Sequence, residues 1–450
     1  MDRCAARHDQ PAGCARSGRL VPGTAPAGLT GVIADQPPAP SRRAGRPAPV
    51  TRYVPPTRRI GARRRFGTPL WSRRNGRLGR AASRRRKPSG TPPRQFGAGV
   101  IAGHWEVVVV GGRIAGASTA WALAPYAERV LVLDASRPTT FWPQQSTWDR
   151  SGNLAWSALG LLETVLACGA PRTYGDTQRI GEDVVERVYP CEDAYSFRMS
   201  VPREVLDPAL LAAARSRGNV TVSRPARVRD LTIEAGRVRG ATVRHGAVDS
   251  QVTCDLLVLA DGRLSRNAER VGAVAYRVVE SPWFALLAYY ENLPLPTDRS
   301  YFSLQDRSVL ISTPCGDGRW CVALDLHQSL IDATGQHPAR SFERLVRDDP
   351  YLGPAVAAGR RSTPIGGAGR MRMLRRPMSG PGWCLVGDAG YHLDPVTAQG
   401  TRAALVTARI LRDRVAGAGG VRGADLTGLT EERDGALDDD WAYTEQIVRG

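Results

Sequence analysis

Lysine is almost absent from this sequence: Lys87 is the only lysine among its 450 residues. Arginine, glycine, alanine and proline are abundant instead, a composition typical of very GC-rich coding DNA. The charge is unevenly placed, because residues 1–100 hold 22 of the 62 Lys and Arg residues but only 3 of the 43 Asp and Glu residues. Residues 101–450 hold 40 of each sign, so the net charge of +19 belongs entirely to the N-terminal segment.

The basic segment does not indicate a nucleic-acid partner, since nucleic-acid-binding proteins carry their basic surface on the folded module, which is neutral here. Residues 1–103 are rich in Arg and Pro and lack hydrophobic periodicity, and we predict a disordered tail. Three interpretations stay open: an organelle transit peptide, a basic nucleic-acid arm, or translated upstream sequence with a native start near Val100. We favour the third. A native N-terminal peptide covering residues 58–87 would contradict it.

Metal, disulfide and membrane signals are also missing. The eight cysteines are scattered without a C-x-x-C pair or a metal-ligand spacing, which favours reduced thiols and no metal site. No apolar run approaches the roughly 18 residues of a membrane span, and no signal-peptide apolar region follows Met1. We therefore expect a cytoplasmic protein without a membrane span.

The first informative segment is "VVVVGGRIAGAS", residues 107–118. It predicts a buried parallel strand, a tight turn at Gly111 and a helix packed closely through Gly116. Arg113 stands where the dinucleotide fingerprint G-x-G-x-x-G has its second glycine. The next strand, "RVLVLD", ends at Asp134, about 20 residues after the turn, the spacing of an acid that binds a ribose. This segment alone leaves a ligand-free α/β unit open.

Two further segments repeat the pattern of a strand, a turn and a helix. In Cys254–Ala273 an apolar strand leads to Asp261-Gly262 and a short helix. In Gly382–Leu411 a strand leads to Gly387-Asp388, and Gly400 opens a long helix. In this order and spacing, the three segments resemble the FAD-dependent oxidoreductases of the glutathione-reductase-like, group A flavoprotein monooxygenase superfamily. The resemblance covers residues 104–415.

The resemblance is closest to a geranylgeranyl-reductase-related branch whose first motif reads G-x-R-x-A-G, matched by Gly111, Arg113, Ala115 and Gly116. It implies an α/β fold with a Rossmann-like, three-layer (ββα) FAD-binding domain and an inserted antiparallel β-sheet substrate domain. The expected segments are the tail (1–103), the FAD-binding domain in two parts (104–272 and 379–416), the substrate sheet (273–378), and a C-terminal linker and helix (417–450).

The resemblance also implies which residues hold the FAD. The pyrophosphate would lie on the first helix N-terminus beside Arg113, Asp134 would bind the adenosine ribose, and Asp388 would bind a ribityl hydroxyl. Asp261-Gly262 matches a turn near the pyrophosphate, and Val396 to Gly400 would open a helix beneath the flavin ring. The full set of cofactor-binding candidates is Gly111, Gly112, Arg113, Ala115, Gly116, Asp134, Arg203, Asp261, Gly262, Gly387, Asp388, Pro395, Gln399 and Gly400.

Two of the matched positions have equally ordinary alternatives. Arg203 matches a side chain that approaches the cofactor, but a charge at a helix start that faces solvent fits it as well. His392 is a weak candidate for a general base, because a lone histidine in a turn is more often a structural donor.

Between the second and third motifs lie β-rich, partly alternating runs. They suit the sheet that roofs the substrate pocket in the resembling enzymes. Seven aromatic residues fall here, and we expect most of them to be core and some to line an apolar cavity for an aromatic or polycyclic substrate. They are Trp283, Phe284, Tyr289, Tyr290, Tyr301, Phe302 and Trp320.

The resemblance favours an NAD(P)H-dependent monooxygenase that transfers oxygen from O₂ to a small apolar or aromatic molecule of the secondary-metabolite type, with NAD(P)H docking only transiently. Halogenation is disfavoured, because residues 101–450 contain neither a lysine nor the Trp-x-Trp-x-Ile-Pro segment of the related halogenases. A geranylgeranyl-reductase-like saturation of double bonds is the alternative enzyme, although the Tyr-x-Trp-x-Phe-Pro segment of those reductases is missing. A non-catalytic flavin- or nucleic-acid-binding protein is the alternative of another class.

Overall fold

The computed structural model describes residues 101–136, 144–335, 337–369 and 371–450, so the expectations for residues 1–100 lie outside the described residues. The strands, in chain order, are β1 (Gly103–Val110), β2 (Val130–Leu133), β3 (Gln145–Trp148), β4 (Gly175–Ile180), β5 (Asp183–Val188), β6 (Met199–Pro202), β7 (Val220–Ser223), β8 (Arg227–Glu234), β9 (Arg237–His245), β10 (Val248–Leu259), β11 (Arg277–Glu280), β12 (Trp283–Glu291), β13 (Arg299–Gln305), β14 (Ser308–Gly316), β15 (Arg319–His327), β16 (Arg360–Arg361), β17 (Gly366–Gly369), β18 (Arg372–Arg375), β19 (Ser379–Gly380), β20 (Trp383–Leu385) and β21 (Tyr391–His392).

The helices are α1 (Ile114–Leu123), α2 (Arg150–Ala158), α3 (Leu162–Leu166), α4 (Arg203–Arg215), α5 (Arg266–Arg270), α6 (Gln328–Thr334), α7 (Pro338–Asp348), α8 (Leu352–Ala358), α9 (Gly400–Gly417) and α10 (Leu429–Arg449). Three short 3₁₀ turns cover Ala124–Tyr126, Gly387–Ala389 and Pro395–Thr397.

The first large sheet has a parallel centre in the order β20, β10, β1, β2, β7. The short β19 pairs antiparallel with β20 at one edge. The first half of β10 extends beyond this centre and pairs antiparallel with β9, which pairs with β8. The four-valine run of the first motif therefore forms the middle strand of the sheet, as its uninterrupted apolar character predicts.

Both faces of the parallel sheet are covered. Val107 and Val109 point into a core shared with α1, α4 and α9, whereas Val108 and Val110 point into a second core shared with β9 and β10. Side chains alternate between the two faces of a strand, so a strand buried on both sides must be apolar throughout. The predicted three-layer ββα fold is confirmed.

The second large sheet, which we call the substrate sheet, has the order β16, β12, β15, β14, β13, β4, β5, with β17 also on β12. Its pairs are antiparallel except β13 with β4, which is parallel. Strands β4 and β5 precede residue 273, inside the range that the sequence analysis assigned to the FAD-binding domain. Helices α7 and α8 cover one face through Phe342, Val346 and Leu352. Two smaller sheets pair β3 with β6, and β18 with β11 and β21.

The expected C-terminal helix is α10, and it packs back onto the cofactor domain. Trp441 lies against Tyr391 with ring centroids 5.7 Å apart, and Arg433 is fully buried. Thr444 Oγ1 lies 2.8 Å from Thr397 Oγ1, which connects α10 to the 3₁₀ turn before α9. Among the described residues, no helix has the length and apolar character needed to cross a membrane. The six cysteines within this part of the chain are free thiols.

Candidate cofactor-binding site

The three motifs meet because their strands end together. Val110 is in register with Leu259 and Leu133, and Leu259 is in register with Leu385. Parallel strands present their carboxyl ends at one edge of the sheet, where α/β folds bind ligands. The residues that follow these strand ends are the predicted ones: Gly111, Asp134, Asp261 and, after Val386, Gly387-Asp388.

The first turn has no room for side chains at its glycines. Gly111 has φ +105°, and a Cβ there would lie 2.3 Å from Ala260 O. A Cβ at Gly116 would lie 1.8 Å from Gly111 O, which confirms the close packing of α1 on the strand that its glycine predicts. Gly112 lies against Asp134, with 3.0 Å between its would-be Cβ and that of the aspartate. The acid at the end of β2 therefore flanks the turn.

Arg113 is the residue that departs from the fingerprint. It is the N-cap of α1 and gives the helix no side-chain cap, so its side chain is free to extend sideways. Arg113 Nη1 donates to Gln144 Oε1 at 3.2 Å, and its Nε lies 4.0 Å from Asp207 Oδ2. Arg203 makes a bidentate ion pair with the same carboxylate, at 2.8 and 3.1 Å. Two guanidinium groups and one carboxylate therefore leave a surplus positive charge beside the turn.

Asp134 is buried and already bonded. Its carboxylate accepts hydrogen bonds from the Ser136 backbone N–H at 3.0 Å and from the Ser136 hydroxyl, and Arg224 Nε lies 3.2 Å away. These partners fix the carboxylate at the end of β2. Arg224 was not anticipated from the sequence, because it follows β7, far along the chain.

Asp261 lies at the turn after β10, next to the first glycine turn. Its Oδ2 accepts from Asn267 Nδ2 at 2.9 Å, whereas its Oδ1 is buried without a hydrogen-bond partner. Burial raises the pKa of this carboxyl group. Gly262, with φ +83°, reverses the chain there. A buried polar atom without a partner is costly and is often satisfied by a bound group.

The third motif brings Gly387 against the first helix. Gly387 has φ +62°, and a Cβ there would lie 2.7 Å from Ala115 Cβ. Its N–H donates to Thr407 Oγ1 of α9 at 3.1 Å. Asp388 is half-buried, and its carboxylate forms no hydrogen bond to any described residue. It is therefore available to accept a hydrogen bond from a hydroxyl group of a ligand.

Between β21 and α9 the chain makes a turn that the sequence did not predict. Asp394 accepts a hydrogen bond from Val396 N at 3.0 Å and starts the 3₁₀ turn, and Ala398 then takes a left-handed conformation at φ +56°. The expectation that Val396 to Gly400 forms the start of the helix is wrong, because this turn and Ala398 precede it. Gln399 is the N-cap of α9, and the helix begins at Gly400. Pro395 is exposed.

His392 is buried on β21, and its Nδ1 donates to Arg372 O at 2.7 Å. This bond fixes the ring to the neighbouring strand, which agrees with the alternative of a structural donor.

The residues fit an FAD. A glycine cradle that a Cβ would fill, uncapped N–H groups of a helix, two arginines, a buried carboxyl oxygen without a partner and an unbonded Asp388 lie along one sheet edge. No group of three or more His, Cys, Asp and Glu side chains within the described residues is arranged to hold a metal ion.

One face of the substrate sheet is turned toward this site. Tyr289 of β12 donates its hydroxyl to Gln144 O at 2.6 Å, and Gln144 in turn bonds Arg113. Strand alternation places a set of partly exposed apolar residues on the same face, which we call the pocket face. They are Ala285, Leu287, Phe302, Val309, Ile311 and Ala323.

The aromatic residues of this sheet divide as expected. Five of the seven are buried, and Phe284 and Phe302 are partly exposed. The prediction that most of them are core is therefore confirmed. Asp325 on the pocket face was missed, although a lone acid inside the apolar strand "RWCVALDLH" is a visible signal.

Known proteins resemble this chain over the same region. A digeranylgeranylglycerophospholipid reductase from Thermoplasma volcanium is 24% identical over 311 residues, 67% of this chain and 76% of that protein. A myxobacterial chondrochloren halogenase superposes with a TM-score of 0.65 at 21% identity, covering 76% of this chain and 81% of that one. A probable FAD-dependent monooxygenase from Pseudomonas aeruginosa superposes with a TM-score of 0.62 at 19% identity, covering 77% and 94%.

At these identities the two solved structures establish the fold alone. The model of the FAD binding domain family matches residues 104–416, which hold all three motifs and the substrate sheet. This match spans more than half of the chain. The chain therefore belongs to the FAD binding domain family, and it is an FAD-dependent oxidoreductase.

Proposed function

We propose that the protein is an NAD(P)H-dependent monooxygenase acting on a small, largely apolar aromatic or polycyclic molecule of the secondary-metabolite type. The reaction would consume one O₂ and one NAD(P)H with a proton. It would give the hydroxylated or epoxidised product, NAD(P)⁺ and water. The observation that carries the proposal is the pocket face, an apolar and partly exposed sheet surface turned toward the cofactor-binding edge.

The chain's own residues divide the work of holding the cofactor. Gly111, Gly116 and the first N–H groups of α1 would bind the pyrophosphate, with Arg113 adding charge-assisted donors. Asp134 would bind the adenosine ribose, and Asp388 a ribityl hydroxyl. Bound FAD would supply the electron transfer from NAD(P)H to oxygen, chemistry that no side chain offers.

The chain between Asp394 and Gly400 would lie against the reactive end of the cofactor. The uncapped N–H groups at the start of α9 are oriented dipoles that favour negative charge nearby. The described residues show no second Rossmann-type unit, which supports a transient docking of NAD(P)H. We further propose that the reaction takes place in the cytoplasm, where thiols stay reduced.

The relative from Thermoplasma volcanium supports a second candidate, a flavin-dependent reductase of double bonds. Such an enzyme would use the same cofactor site and a longer apolar pocket, but it would need no oxygen. Halogenation has weaker support despite the halogenase among the similar structures, because residues 101–450 contain no lysine.

Labelled oxygen separates these candidates. The protein is incubated with FAD, NADPH or NADH, ¹⁸O₂ and a panel of aromatic and polycyclic compounds, and the products are analysed by mass spectrometry. We expect a product that carries one ¹⁸O atom. A product that gains two hydrogens under anaerobic conditions would instead support the reductase, and a halogenated product formed with added halide would overturn both.

A further inference from the structure

Asp325 is an acid in an apolar surface. It lies on β15 between Ala285 of β12 and Val309 of β14, and strand alternation places all three side chains on the pocket face. Asp325 is 6% exposed, so it is more than nine-tenths buried. Its carboxyl group makes no hydrogen bond or ion pair with any described residue.

A second acid, Asp394, lies near enough to Asp325 for its charge to raise the pKa of that group. Asp394, at the start of the turn before α9, is 1% exposed, and its Oδ2 is buried without a hydrogen-bond partner. Strand β12 begins in this region. Ser281, just before the strand, lies beside Asp394, and the backbone N–H of Trp283 donates a hydrogen bond to the Ser281 hydroxyl oxygen. Burial raises the pKa of Asp394 as well. Two neighbouring carboxyl groups in a low-dielectric site do not both ionise at neutral pH.

The other titratable groups nearby do not neutralise Asp325. His327 lies two residues along the same strand, but its Nδ1 is hydrogen-bonded to Ser329 and its ring packs edge-on against Trp283, with 5.4 Å between ring centroids. The Nδ1 of His392 points to Arg372 O. Burial, and then the charge of Asp394, raise the pKa of Asp325 to about 8. At neutral pH its un-ionised form has one O–H group to donate and no acceptor among the described residues.

We propose that Asp325 is a substrate-binding residue whose un-ionised carboxyl group donates a hydrogen bond to a carbonyl oxygen of a neutral, fused-ring substrate lying on the pocket face. The apolar neighbours exclude water, and an unpaired donor in such a site is satisfied only when the ligand brings an acceptor. The site should therefore select substrates with a carbonyl group, since an analogue without the carbonyl leaves the O–H donor of Asp325 unpaired. The inference rests on the proposed function, because it names the substrate class of that pocket.

The test compares three probes built on the same ring system: fluorenone, which has the carbonyl; fluorene, which lacks it; and 9-(aminomethyl)fluorene, whose ammonium group is a cation at pH 7. Their dissociation constants are measured by calorimetry on the FAD-loaded full-length protein at pH 7. The variants are Asp325→Leu, which removes the donor at similar volume, and Asp325→Asn, which keeps a donor but carries no ionisable group. An infrared difference spectrum, wild type minus Asp325→Asn, records whether the carboxyl group is protonated.

We expect fluorenone to bind the wild type about tenfold more tightly than fluorene, the ratio for one good hydrogen bond. The preference should vanish in Asp325→Leu and persist in Asp325→Asn, and the difference spectrum should contain the C=O stretch of a protonated carboxyl group. Tighter binding of 9-(aminomethyl)fluorene, lost in both variants, would overturn the proposal by making Asp325 a carboxylate site. An unchanged preference in Asp325→Leu, a missing infrared band, or no binding of any probe would overturn it too.

These readouts do not depend on turnover. A protein that binds fluorenone as expected but transfers no oxygen would contradict the proposed function and leave the role of Asp325 intact.

Discussion

Arg113 and Arg203 are joined through one carboxylate: Asp207 holds Arg203 in a bidentate ion pair, and Arg113 Nε approaches the same group at 4.0 Å. Arg203 and Asp207 are four residues apart on α4, so the pair is fixed along one helix face. The arginine that replaces a fingerprint glycine is thereby held beside the N-terminus of α1. This arrangement explains how a turn with Arg113 suits a phosphate-bearing ligand.

The proposed role of Arg113 in binding the pyrophosphate gives the first prediction. Replacing it by Gln removes one positive charge next to the helix N-terminus, and we expect the Kd for FAD to rise about threefold at low salt, with a smaller effect at high salt. Fluorescence titration of the apoprotein with FAD measures this. Arg215→Gln, at the exposed opposite end of α4, should leave the Kd unchanged. Equal affinity for FAD in both variants would remove the phosphate role of Arg113.

Asp388 gives a second prediction. Because its carboxylate makes no hydrogen bond within the described chain, Asp388→Ala should leave the free energy of unfolding of the apoprotein nearly unchanged. The Kd for FAD should rise about tenfold, since a charge-assisted hydrogen bond to the ligand is lost. Flavin content after gel filtration and urea unfolding supply the two measurements, and Asp439→Ala on the exposed side of α10 is the control. Normal flavin occupancy would show that the third motif has been assigned wrongly.

The packing of α1 on the first turn gives a third prediction, on stability. Gly116→Ala places a methyl group 1.8 Å from Gly111 O, where backbone must shift, and it should lower the free energy of unfolding by about 2 kcal/mol or more. Gly400→Ala, at the start of α9, meets no atom within 4 Å and should be neutral or slightly stabilising. Urea unfolding of the two apoproteins compares them directly. Similar stability of the two variants would contradict the close approach at Gly116.

The buried acid of the pocket face gives a fourth prediction, on pH. Burial and the facing Asp394 raise the pKa of Asp325 to about 8, so the folded protein keeps a proton there that the unfolded chain releases above about pH 4. The contribution of Asp325 to the free energy of unfolding of the wild type therefore falls as pH rises from 4 toward 8, by up to about 1.4 kcal/mol per pH unit.

Asp325→Asn removes this proton linkage. The difference in free energy of unfolding between Asp325→Asn and the wild type should therefore shift in favour of the variant as pH rises toward 8. His392 and His327 remain in both proteins and cancel in the comparison, and Asp439→Asn serves as the exposed control. Parallel curves for wild type and Asp325→Asn would show that Asp325 is ionised in the folded state.

The sequence was enough to predict which strands and turns form the cofactor-binding edge. It was not enough to predict the side-chain contacts between different elements at that edge. The runs around Gly111, Asp261 and Gly387 carry strand, turn and helix signals within about 20 residues each, so local rules placed them correctly. Their convergence follows from the shared edge of a parallel sheet. The pairing of Asp207 with two arginines depends on how α4 packs on α1, and no local pattern encodes that.

The substrate sheet shows the same limit. Strands β12 to β15 were visible as alternating runs, but β4 and β5 join this sheet from a distant part of the chain through a parallel pair with β13. Non-local pairing of this kind leaves no spacing signal in one sequence. The proximity of Asp394 to Asp325 likewise depends on how the turn before α9 packs against the substrate sheet, which it contacts through β12.

An anaerobic titration of the FAD-loaded protein tests the proposed monooxygenase activity. NADPH or NADH is added in the absence of oxygen, and oxygen is then admitted with fluorenone present, while flavin absorbance, NAD(P)H consumption, peroxide and product are followed. We expect NAD(P)H to bleach the flavin absorbance, and the colour to return on oxygen admission with one oxygenated product for each NAD(P)H consumed and little free peroxide. A protein that retains no flavin, or a flavin that reoxidises with peroxide alone whatever compound is present, would contradict it.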